Sequence, residues 1–383
     1  MTFGILTHNY LLDKGKRKNA GVFVYDFNHA LVKTLGKTVP LLFYNFEGKK
    51  SLNNRKSDVT IFTPDGISKK PGNWNRYSPL SLYYFLKTMH DAKIQTESFV
   101  KKKKISFLLA CWALPSGLIA YHIKKQLGIP YAIWCLGSDI TLFTKIPILK
   151  TMIVRSLLNA SIIFVNSHSL GLEVTKITGR KTIFLPAVTE FEEKTTKILS
   201  RKKKTYYLLY VGRLEKVKGI DILIKSLTFI NPSDYNIVLW IGGEGSLSNT
   251  IRQQVAQAKF AHTVEILGNL NQEKVSAYMN SADLLIIPSR NESLPLVLIE
   301  AGKLGLPSVV TDVGDSARFV QKHSAGIITK PNNPNSLAAG ISQAISDLPK
   351  LRNIARKRKK LLKEKFTPEK TAELFNDYVT KII

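Results

Sequence analysis

Short apolar runs alternate with longer amphipathic segments along most of this chain. The apolar runs predict strands at residues 3–7, 105–110, 131–135, 162–165 and 182–185, then at 207–211, 236–241, 264–267, 284–287 and 308–310. The intervening segments predict helices at residues 21–35, 117–127, 219–229, 247–259, 272–280 and 295–304. Because strands that alternate with helices form parallel sheets, the pattern predicts an α/β chain with two Rossmann-like, doubly wound sheets.

The pattern breaks between residues 190 and 204. There the apolar content falls, and the sequence Glu-Phe-Glu-Glu gives way to Arg-Lys-Lys-Lys. The chain has 383 residues, which corresponds to about two domains of ordinary size. We therefore predict one domain over residues 1–195 and a second over residues 205–365, followed by a last segment, 366–383.

One segment, residues 105–123, has nearly the length and apolarity of a membrane span, with lysines on both sides. Pro115 to Gly117 interrupt it, so a strand, a turn and a helix explain it without lipid. The chain's first residues lack the basic region of a signal peptide. Only two cysteines, Cys111 and Cys135, are present, which is too few for a disulfide framework. We therefore expect a cytoplasmic protein.

The chain is strongly basic, with 56 Lys and Arg against 28 Asp and Glu. Residues 1–204 hold 33 of the basic and 12 of the acidic side chains. The densest basic runs are residues 101–104, 201–204 and 356–360. Such a charge attracts polyanions, so an anionic membrane and nucleic acid are both possible partners, and solvated surface is the third explanation.

Basic side chains and glycines follow the first strand of the second domain. Residues 212–219, Gly-Arg-Leu-Glu-Lys-Val-Lys-Gly, carry Arg213 and Lys218 beside a helix that is predicted to begin near Gly219. Gly212 allows the chain to turn closely. Cationic side chains and the free N–H groups of a helix N-terminus bind diphosphates well, so this segment is a candidate diphosphate site. Two solvated side chains at a turn are the alternative.

A second glycine cluster, residues 242–246, follows the next strand. It includes Gly243 but lacks the Gly-Lys-Ser/Thr ending of a P-loop, and it is only loosely similar to a dinucleotide-binding fingerprint. ATP hydrolysis and hydride transfer are therefore disfavoured. A tight turn between strand and helix is the simpler interpretation of the cluster.

Two carboxylates flank a third candidate segment. Glu292 and Glu300 are separated by seven residues, and would lie about 12 Å apart if the segment were fully helical. Pro295 fits the first turn of a helix, and backbone amides around it would face an anion; the residues concerned are Ser293, Leu294, Pro295 and Leu296. One carboxylate would then accept hydrogen bonds from sugar hydroxyls and the other from ribose hydroxyls. A buried ion pair is the alternative.

These residues resemble motifs of the retaining, nucleotide-sugar-dependent glycosyltransferases with the GT-B fold, called group 1 or family 4. Glu292 and Glu300 match the family's E-x7-E motif. Further matches recur in the family's order and spacing at residues 211–214, 218–219, 241–245, 264–268, 311–314 and 326–328. The resemblance is strong over residues 205–345 and weak in the first half. It implies two domains that face a cleft, with the acceptor bound by residues 1–195, the donor by residues 205–365, and the last helix returning to the first domain.

The resemblance implies roles for the four charged residues. Arg213 and Lys218 would neutralise the departing diphosphate, Glu300 would bind ribose and Glu292 would face the donor sugar. The amides of Ser293 to Leu296 would complete the phosphate site.

The resemblance also extends to glycines and to one segment of the first domain. Gly212 and Gly243 would belong to the donor-binding loops, and Gly21 corresponds to the family's glycine loop after the first strand. Residues 134–139 resemble a His-Gly-x-Asp segment near the sugar, but Leu136 stands where histidine is common. Asp139 is therefore the candidate catalytic side chain there.

The implied function is a metal-independent, retaining transfer of a sugar from a nucleotide-diphosphate sugar, with UDP or GDP as carrier, to a hydroxyl of a saccharide or lipid-linked acceptor. Cell-envelope polysaccharide, lipopolysaccharide or glycolipid synthesis is the expected context. We expect no cofactor and no metal, since no histidine has a second ligand at metal-binding spacing.

Two alternatives remain, a sugar-nucleotide epimerase and a basic nucleic-acid-binding protein that shares the fold. Specific nucleic-acid binding is not expected, because the glutamates would repel phosphates and no basic residues interleave with aromatic ones. Residues 101–104, beside Phe99, Val100, Ile105 and Phe107, instead favour peripheral contact with the inner face of an anionic membrane.

Overall fold

A computed structural model describes residues 1–10, 21–45, 58–63, 79–191, 201–231, 233–257 and 263–382. These residues divide into two compact units. The first unit comprises Met1–Thr189 together with Pro368–Ile383, and the second comprises Glu190–Thr367. The chain thus passes from the first unit to the second inside the segment where the hydrophobic pattern breaks, and its last helix belongs to the first unit.

The described residues contain thirteen strands and fourteen α-helices. The strands are β1 (Phe3–Thr7), β2 (Leu41–Tyr44), β3 (Val59–Phe62), β4 (Phe107–Cys111), β5 (Tyr131–Cys135), β6 (Ile162–Val165), β7 (Ile183–Phe184), β8 (Tyr206–Val211), β9 (Ile237–Gly242), β10 (Thr263–Gly268), β11 (Leu284–Ile287), β12 (Ser308–Thr311) and β13 (Gly326–Thr329). The helices are α1 (Val22–Leu35), α2 (Pro79–Lys102), α3 (Leu118–Leu127), α4 (Ser138–Thr141), α5 (Pro147–Asn159), α6 (His168–Thr178), α7 (Ile220–Leu227), α8 (Ser248–Gln257), α9 (Gln272–Ser281), α10 (Leu296–Leu304), α11 (Ser316–His323), α12 (Pro334–Ser346), α13 (Leu348–Lys365) and α14 (Pro368–Thr380).

Each unit is built on one parallel sheet. The first sheet has the order β3-β2-β1-β4-β5-β6-β7, and the second has the order β10-β9-β8-β11-β12-β13. Every pair of neighbouring strands is parallel. The direction of winding reverses between β1 and β4 and between β8 and β11, and ligands of such folds bind beyond the carboxyl ends of the strands at these points. The predicted fold class, two doubly wound Rossmann-like sheets, is confirmed.

Three strands of the structure were not predicted from the pattern, namely β2, β3 and β13. Each has four residues, as do the predicted strands β6, β11 and β12, so length does not explain the difference. The segment that imitates a membrane span forms β4, a wide turn at Ala113–Gly117 and α3, as predicted. Among the described helices, none combines the length and the apolarity needed to cross a bilayer.

The predicted membrane surface beside residues 101–104 is wrong in its apolar part. Phe99, Val100, Ile105 and Phe107 are all buried, and Phe107 is completely so. Phe99, Val100 and Ile105 belong to the first unit's hydrophobic core, where they pack with residues of β4 and α3. These side chains are therefore not available to a lipid surface.

The last helix closes the core of the first unit. Phe375 of α14 is completely buried, and its ring lies 5.7 Å from that of Phe3, 5.6 Å from that of Phe27 and 5.6 Å from that of Phe164. Aromatic rings at these distances contribute attraction beyond the burial of their surface. The C-terminal helix is thus an integral part of the first unit.

In the second unit, Asp283 joins three parts of the chain at the start of β11. Its carboxylate accepts a hydrogen bond from the backbone N–H of Tyr207 at 2.8 Å and forms ion pairs with Arg201 and Arg352. The aspartate side chain is only 3% exposed. A buried carboxylate needs such partners, because its desolvation alone is strongly unfavourable. This network anchors α13 to the sheet.

Replacing Phe375 with alanine should lower the free energy of unfolding of the first unit by about 3–5 kcal/mol, because it leaves a cavity among three aromatic rings. Urea denaturation of the full chain measures this change. Leu172→Ala, at a position that is 74% exposed, is the matched control and should change stability by no more than about 0.5 kcal/mol. Equal effects of the two substitutions would contradict a structural role for α14.

Candidate functional site

Four loops follow the carboxyl ends of β8, β9, β11 and β12 in the second unit. The loops after β8 and β11 touch backbone to backbone. Gly219 has a φ of +69°, and a Cβ atom at this position would lie 1.9 Å from the carbonyl oxygen of Pro288. Only glycine fits such an approach. The loop that carries Lys218 is therefore held directly against the loop that carries Glu292.

The loops after β8 and β9 are joined in the same way. A Cβ atom on Gly243, whose φ is +139°, would lie 1.9 Å from the carbonyl oxygen of Gly212. The carboxylate of Glu215 accepts hydrogen bonds from the backbone N–H and the hydroxyl of Ser246 at 3.0 and 2.6 Å. These bonds lower the pKa of Glu215. The tight turn predicted for residues 242–246 thus serves to fix the loop that carries Arg213.

Lys218 and Glu292 form an ion pair across the first of these contacts. The hydroxyl of Ser289 also donates to the same carboxylate oxygen at 3.2 Å. The side chain of Lys218 is 24% exposed and that of Glu292 is 13% exposed. The structure thus brings together two of the predicted site residues, with the lysine ammonium on the carboxylate and both side chains still accessible from one side.

Arg213 lies at the surface of the same loop, and its guanidinium is exposed. The Tyr210 hydroxyl donates to the Arg213 carbonyl oxygen at 2.9 Å, which fixes the backbone of this residue. No hydrogen bond or ion pair of the guanidinium is observed with any residue that the structure describes. The arginine therefore provides a positive charge that is open to a ligand.

An arginine that was not predicted holds this arrangement together. Arg290 makes a bidentate ion pair with Asp221, with both N···O distances at 2.7 Å, and donates to Asn332 at 3.0 Å. Its guanidinium also donates to the carbonyl oxygen of Lys216, and its backbone N–H donates to that of Val217. Burial by itself raises the pKa of Asp221, but its contacts with Arg290 lower that pKa on balance.

Glu300 is the fifth residue of α10. It is half-buried, between the buried side chains of Ile299 and Ala301. The helix begins at Leu296, one residue later than predicted, and Pro295 precedes it in an extended conformation. Residues 292–295 are therefore not helical, so the distance calculated for a continuous helix between Glu292 and Glu300 does not apply.

The N-terminus of α10 has no side-chain cap. The backbone N–H groups of its first residues point out of the helix end, which follows the Glu292 loop. Pro295, which was predicted among the anion-binding amides, has no N–H to donate. Gly314 stabilises this loop, since a Cβ there would lie 1.9 Å from the carbonyl oxygen of Glu292. The N–H of Asp315 also donates to the Ser293 carbonyl at 2.7 Å. The loop is thus held in shape by the turn after β12.

In the first unit, Gly21 lies at the N-terminus of α1. Its φ is +87°, and a Cβ atom would lie 2.6 Å from the backbone of Asn9 and Tyr10. Glycine is therefore required for the approach of α1 to the end of β1. The two residues before it in the predicted glycine loop, Asn19 and Ala20, lie outside the described residues.

Asp139 has a different environment from the one predicted. It is completely buried, and its carboxylate accepts hydrogen bonds from the backbone N–H groups of Ala113 (2.8 Å), Leu136 (3.2 Å) and Gly137 (3.0 Å). Burial raises the pKa of Asp139, although these hydrogen bonds oppose that shift. A carboxylate with no exposed surface does not touch a substrate; this one joins the loops after β4 and β5.

Among the described residues, no three His, Cys, Asp or Glu side chains come close enough together to hold a metal ion. Lys218 and the N-terminus of α10 provide positive charge near Glu292, and Arg213 lies in the same loop as Lys218. This arrangement is suited to an anion with several oxygen atoms, and the carboxylates of Glu292 and Glu300 are suited to accept hydrogen bonds from hydroxyl groups.

Comparison with known proteins agrees with this chemistry. Residues 191–361 match the family described as Glycosyl transferases group 1. Over 245 residues the chain is 29% identical to TuaC of Bacillus subtilis (strain 168), a glycosyltransferase named for teichuronic acid biosynthesis. That match covers 61% of this chain and 60% of TuaC, which is less than two thirds of either.

Solved structures extend the similarity of fold to the whole chain. Sucrose-phosphate synthase from Thermosynechococcus elongatus superposes with a TM-score of 0.79 at 17% identity, covering 100% of this chain and 99% of that one. Anabaena HepE in complex with UDP-glucose superposes with a TM-score of 0.72 at 16% identity and covers 100% of both chains. The predicted GT-B fold and the predicted enzyme class are confirmed. Residues 191–361 of this chain belong to the group 1 glycosyltransferases.

Proposed function

We propose that the protein transfers a sugar from a nucleoside diphosphate sugar to a hydroxyl of a saccharide or lipid-linked acceptor, with retention of anomeric configuration and without a metal. The observation that carries this proposal is the convergence of Lys218, Arg213 and the uncapped end of α10 around Glu292. A cell-envelope polysaccharide, lipopolysaccharide or glycolipid is the proposed product, and the name of TuaC supports this context.

The donor diphosphate would bind between the amides at the start of α10 and the cations of the loop after β8. Charge-assisted hydrogen bonds of this type are about twice as strong as neutral ones. The ribose hydroxyls would donate to Glu300, and the donor sugar would lie against Glu292. UDP and GDP are both suitable carriers, and the HepE complex with UDP-glucose supports UDP.

The ion pair between Lys218 and Glu292 prepares this site before the donor arrives. An unpaired lysine would lose side-chain entropy on ordering, whereas a paired one is already held in position. When the diphosphate enters, its oxygens provide a second anionic partner for the ammonium. Glu292 then accepts hydrogen bonds from the sugar while it keeps the lysine in place.

The reaction breaks the bond between the anomeric carbon and the diphosphate oxygen, and negative charge develops on that oxygen. Lys218, Arg213 and the helix dipole of α10 stabilise this charge, which is usually the largest contribution to catalysis in such sites. The acceptor hydroxyl attacks on the face from which the diphosphate leaves, and its proton passes to the departing phosphate oxygen. These protein groups supply the positive charge that a divalent cation supplies in other enzymes.

We assign the acceptor to the first unit and the donor to the second. Within the first unit, Asp139 acts as a positioning residue, because it fixes the Leu136–Gly137 backbone at the carboxyl end of β5. Gly21 similarly allows α1 to approach the end of β1. A cytoplasmic location, with peripheral contact to the inner face of an anionic membrane, fits a lipid-linked acceptor and the basic first half of the chain.

A calorimetric panel of UDP, GDP, ADP and TDP in buffer with a chelator tests the proposal. Micromolar binding of one diphosphate would identify the carrier. A short single-stranded oligonucleotide serves as the control for bulk charge. Binding of the oligonucleotide alone, with steep salt dependence, would refute the transferase proposal. Product analysis with and without acceptor then separates transfer from epimerisation of the sugar nucleotide.

Arg213→Ala and Glu300→Ala should each reduce donor binding or kcat/KM at least about tenfold, because each removes a charged contact to the donor. Arg356→Ala, which removes an exposed arginine of α13, is the matched control and should leave both quantities unchanged. Steady-state kinetics and calorimetry make the comparison. Wild-type activity in both site variants would remove the assignment of these residues.

Arg290→Ala should lower kcat more than it raises KM, since it frees the Glu292 loop without removing a donor contact. Asp221→Ala should act through the same bidentate pair, so the double variant should show a coupling energy of about 0.5–3 kcal/mol in kcat/KM. Additive effects would contradict the positioning role of this pair.

We expect the ion pair of Arg290 and Asp221 to limit donor binding at low pH. Contacts with Arg290 hold the pKa of Asp221 below its usual value. The ionised carboxylate therefore stabilises the folded loop fully at pH values above the usual pKa, and this stabilisation is lost as the pH falls through the lowered pKa. We expect donor binding to weaken over this acidic interval in the wild type. Asp221→Asn should lack this particular loss, and pH-dependent calorimetry compares the two.

A further inference from the structure

The exposed half of α5 is both basic and apolar. Ile148 is 65% exposed and Leu158 is 49% exposed. Lys150 and Arg155 are exposed on the same half of the helix. These two large apolar side chains lie ten residues apart on one helix, and exposed apolar surface with polar residues around it marks interaction sites. We call these four residues the α5 face.

Positive charge outweighs negative charge along the chain around the α5 face, and Glu97 of α2 and Glu173 of α6 flank this stretch. Residues 98–172 contain nine Lys and Arg but a single carboxylate, that of Asp139, and this carboxylate is completely buried. Burial lowers the pKa of His122, and the nearby charges of Lys93, Lys125 and Arg155 lower it further. Helices α2, α3 and α5 each present exposed lysine or arginine side chains, and on α2 Glu97 pairs with Lys101.

A groove of about 660 Å3 runs along α5 and is open to solvent. Its walls include Val154 and Leu158 of α5 and Ile177 of α6, and Lys150 and Arg155 are also among its lining residues. Apolar walls with cationic side chains beside them match the chemistry of a phospholipid, whose acyl chain is apolar and whose phosphate is anionic.

We propose that the α5 face docks on an anionic lipid bilayer. Lys150 and Arg155 contact lipid phosphates, while Ile148 and Leu158 enter the boundary between head groups and acyl chains. The proposal rests on the proposed function, since a lipid-linked acceptor requires the enzyme at a membrane, and it assigns that contact to a specific surface. Charge complementarity selects the lipid, and the exposed isoleucine and leucine favour a bilayer over nucleic acid, which binds single strands through aromatic side chains.

The second unit offers a matched control. Helix α13 also carries many basic residues, and Arg356 and Lys360 are exposed on it four residues apart. The double variant Arg356→Glu/Lys360→Glu therefore changes the net charge by the same amount as Lys150→Glu/Arg155→Glu. Comparison of the two separates a specific surface from the attraction of the whole basic protein.

The experiment is cosedimentation of the full chain with vesicles of phosphatidylglycerol mixed with phosphatidylcholine, and with vesicles of phosphatidylcholine alone. We expect wild-type binding to the mixed vesicles only. Each basic side chain near an anionic surface strengthens binding about fivefold, so Lys150→Glu/Arg155→Glu should weaken it at least about 25-fold. Arg356→Glu/Lys360→Glu should weaken it less than about threefold, through long-range charge alone.

A second pair of variants tests insertion. Salt screens the charges but not apolar contacts, so wild-type binding should fall with added salt to a residual level. In the double variant Ile148→Ser/Leu158→Ser, the binding that remains at high salt should be abolished. Both changes replace exposed side chains, and circular dichroism should report wild-type folding.

Three outcomes would overturn the proposal. Equal loss in the α5 and α13 charge variants would mean that bulk charge alone attracts the lipid. Absence of wild-type vesicle binding, with binding of an oligonucleotide, would mean that the face serves another polyanion. If the double variant Ile148→Ser/Leu158→Ser kept the wild-type level of vesicle binding at high salt, insertion of these side chains into the bilayer would be excluded. Binding of the nucleoside diphosphate should be the same in the wild type and in every variant. If the wild type does not bind a nucleoside diphosphate, the proposed function is contradicted, whereas the proposal for the α5 face is not.

Discussion

The contact between the backbones of Gly219 and Pro288 is the constraint on which the second unit's site depends. β8 and β11 are adjacent in the sheet although 72 residues lie between the last residue of β8 and the first residue of β11. Their loops leave the sheet at the same edge, where the winding reverses. A side chain at Gly219 would separate them, and the Lys218 ammonium would then no longer reach Glu292. Two further contacts, the ion pair of Arg290 with Asp221 and the close approach of Gly314 to the Glu292 backbone, hold the same loops. Several independent contacts therefore fix the position of Glu292.

This redundancy has a physical reason. A site for a diphosphate concentrates positive charge, and like charges repel unless neighbouring carboxylates balance them. Lys218 is balanced by Glu292 and Arg290 by Asp221, whereas Arg213 remains open to solvent. Two of the three cations thus contribute to the shape of the site before any ligand binds, and the third provides the excess charge. Such preorganisation avoids a cost of rearrangement when the transition state forms.

Much of the fold could be predicted from the sequence, because a buried parallel strand is an apolar run. Such a run is visible in the local sequence even when the neighbouring strand is not known. The sequence also singles out Arg213, Lys218, Glu292 and Glu300 as candidates, since each lies in a short local motif. The pair of Arg290 and Asp221 was not, because the two residues are 69 positions apart and neither is unusual in its own neighbourhood. Asp139 was misinterpreted for the related reason that a sequence does not distinguish an exposed carboxylate from one whose oxygens accept three backbone hydrogen bonds.

The position of α14 has a consequence for how the protein is made. The helix that fills the aromatic core of the first unit is synthesised after the whole of the second unit. During translation, Phe3, Phe27 and Phe164 therefore emerge from the ribosome long before Phe375 covers them. The second unit is continuous in the chain and is ready to fold earlier than the first. The first unit can therefore complete its aromatic core only after the second unit has been synthesised.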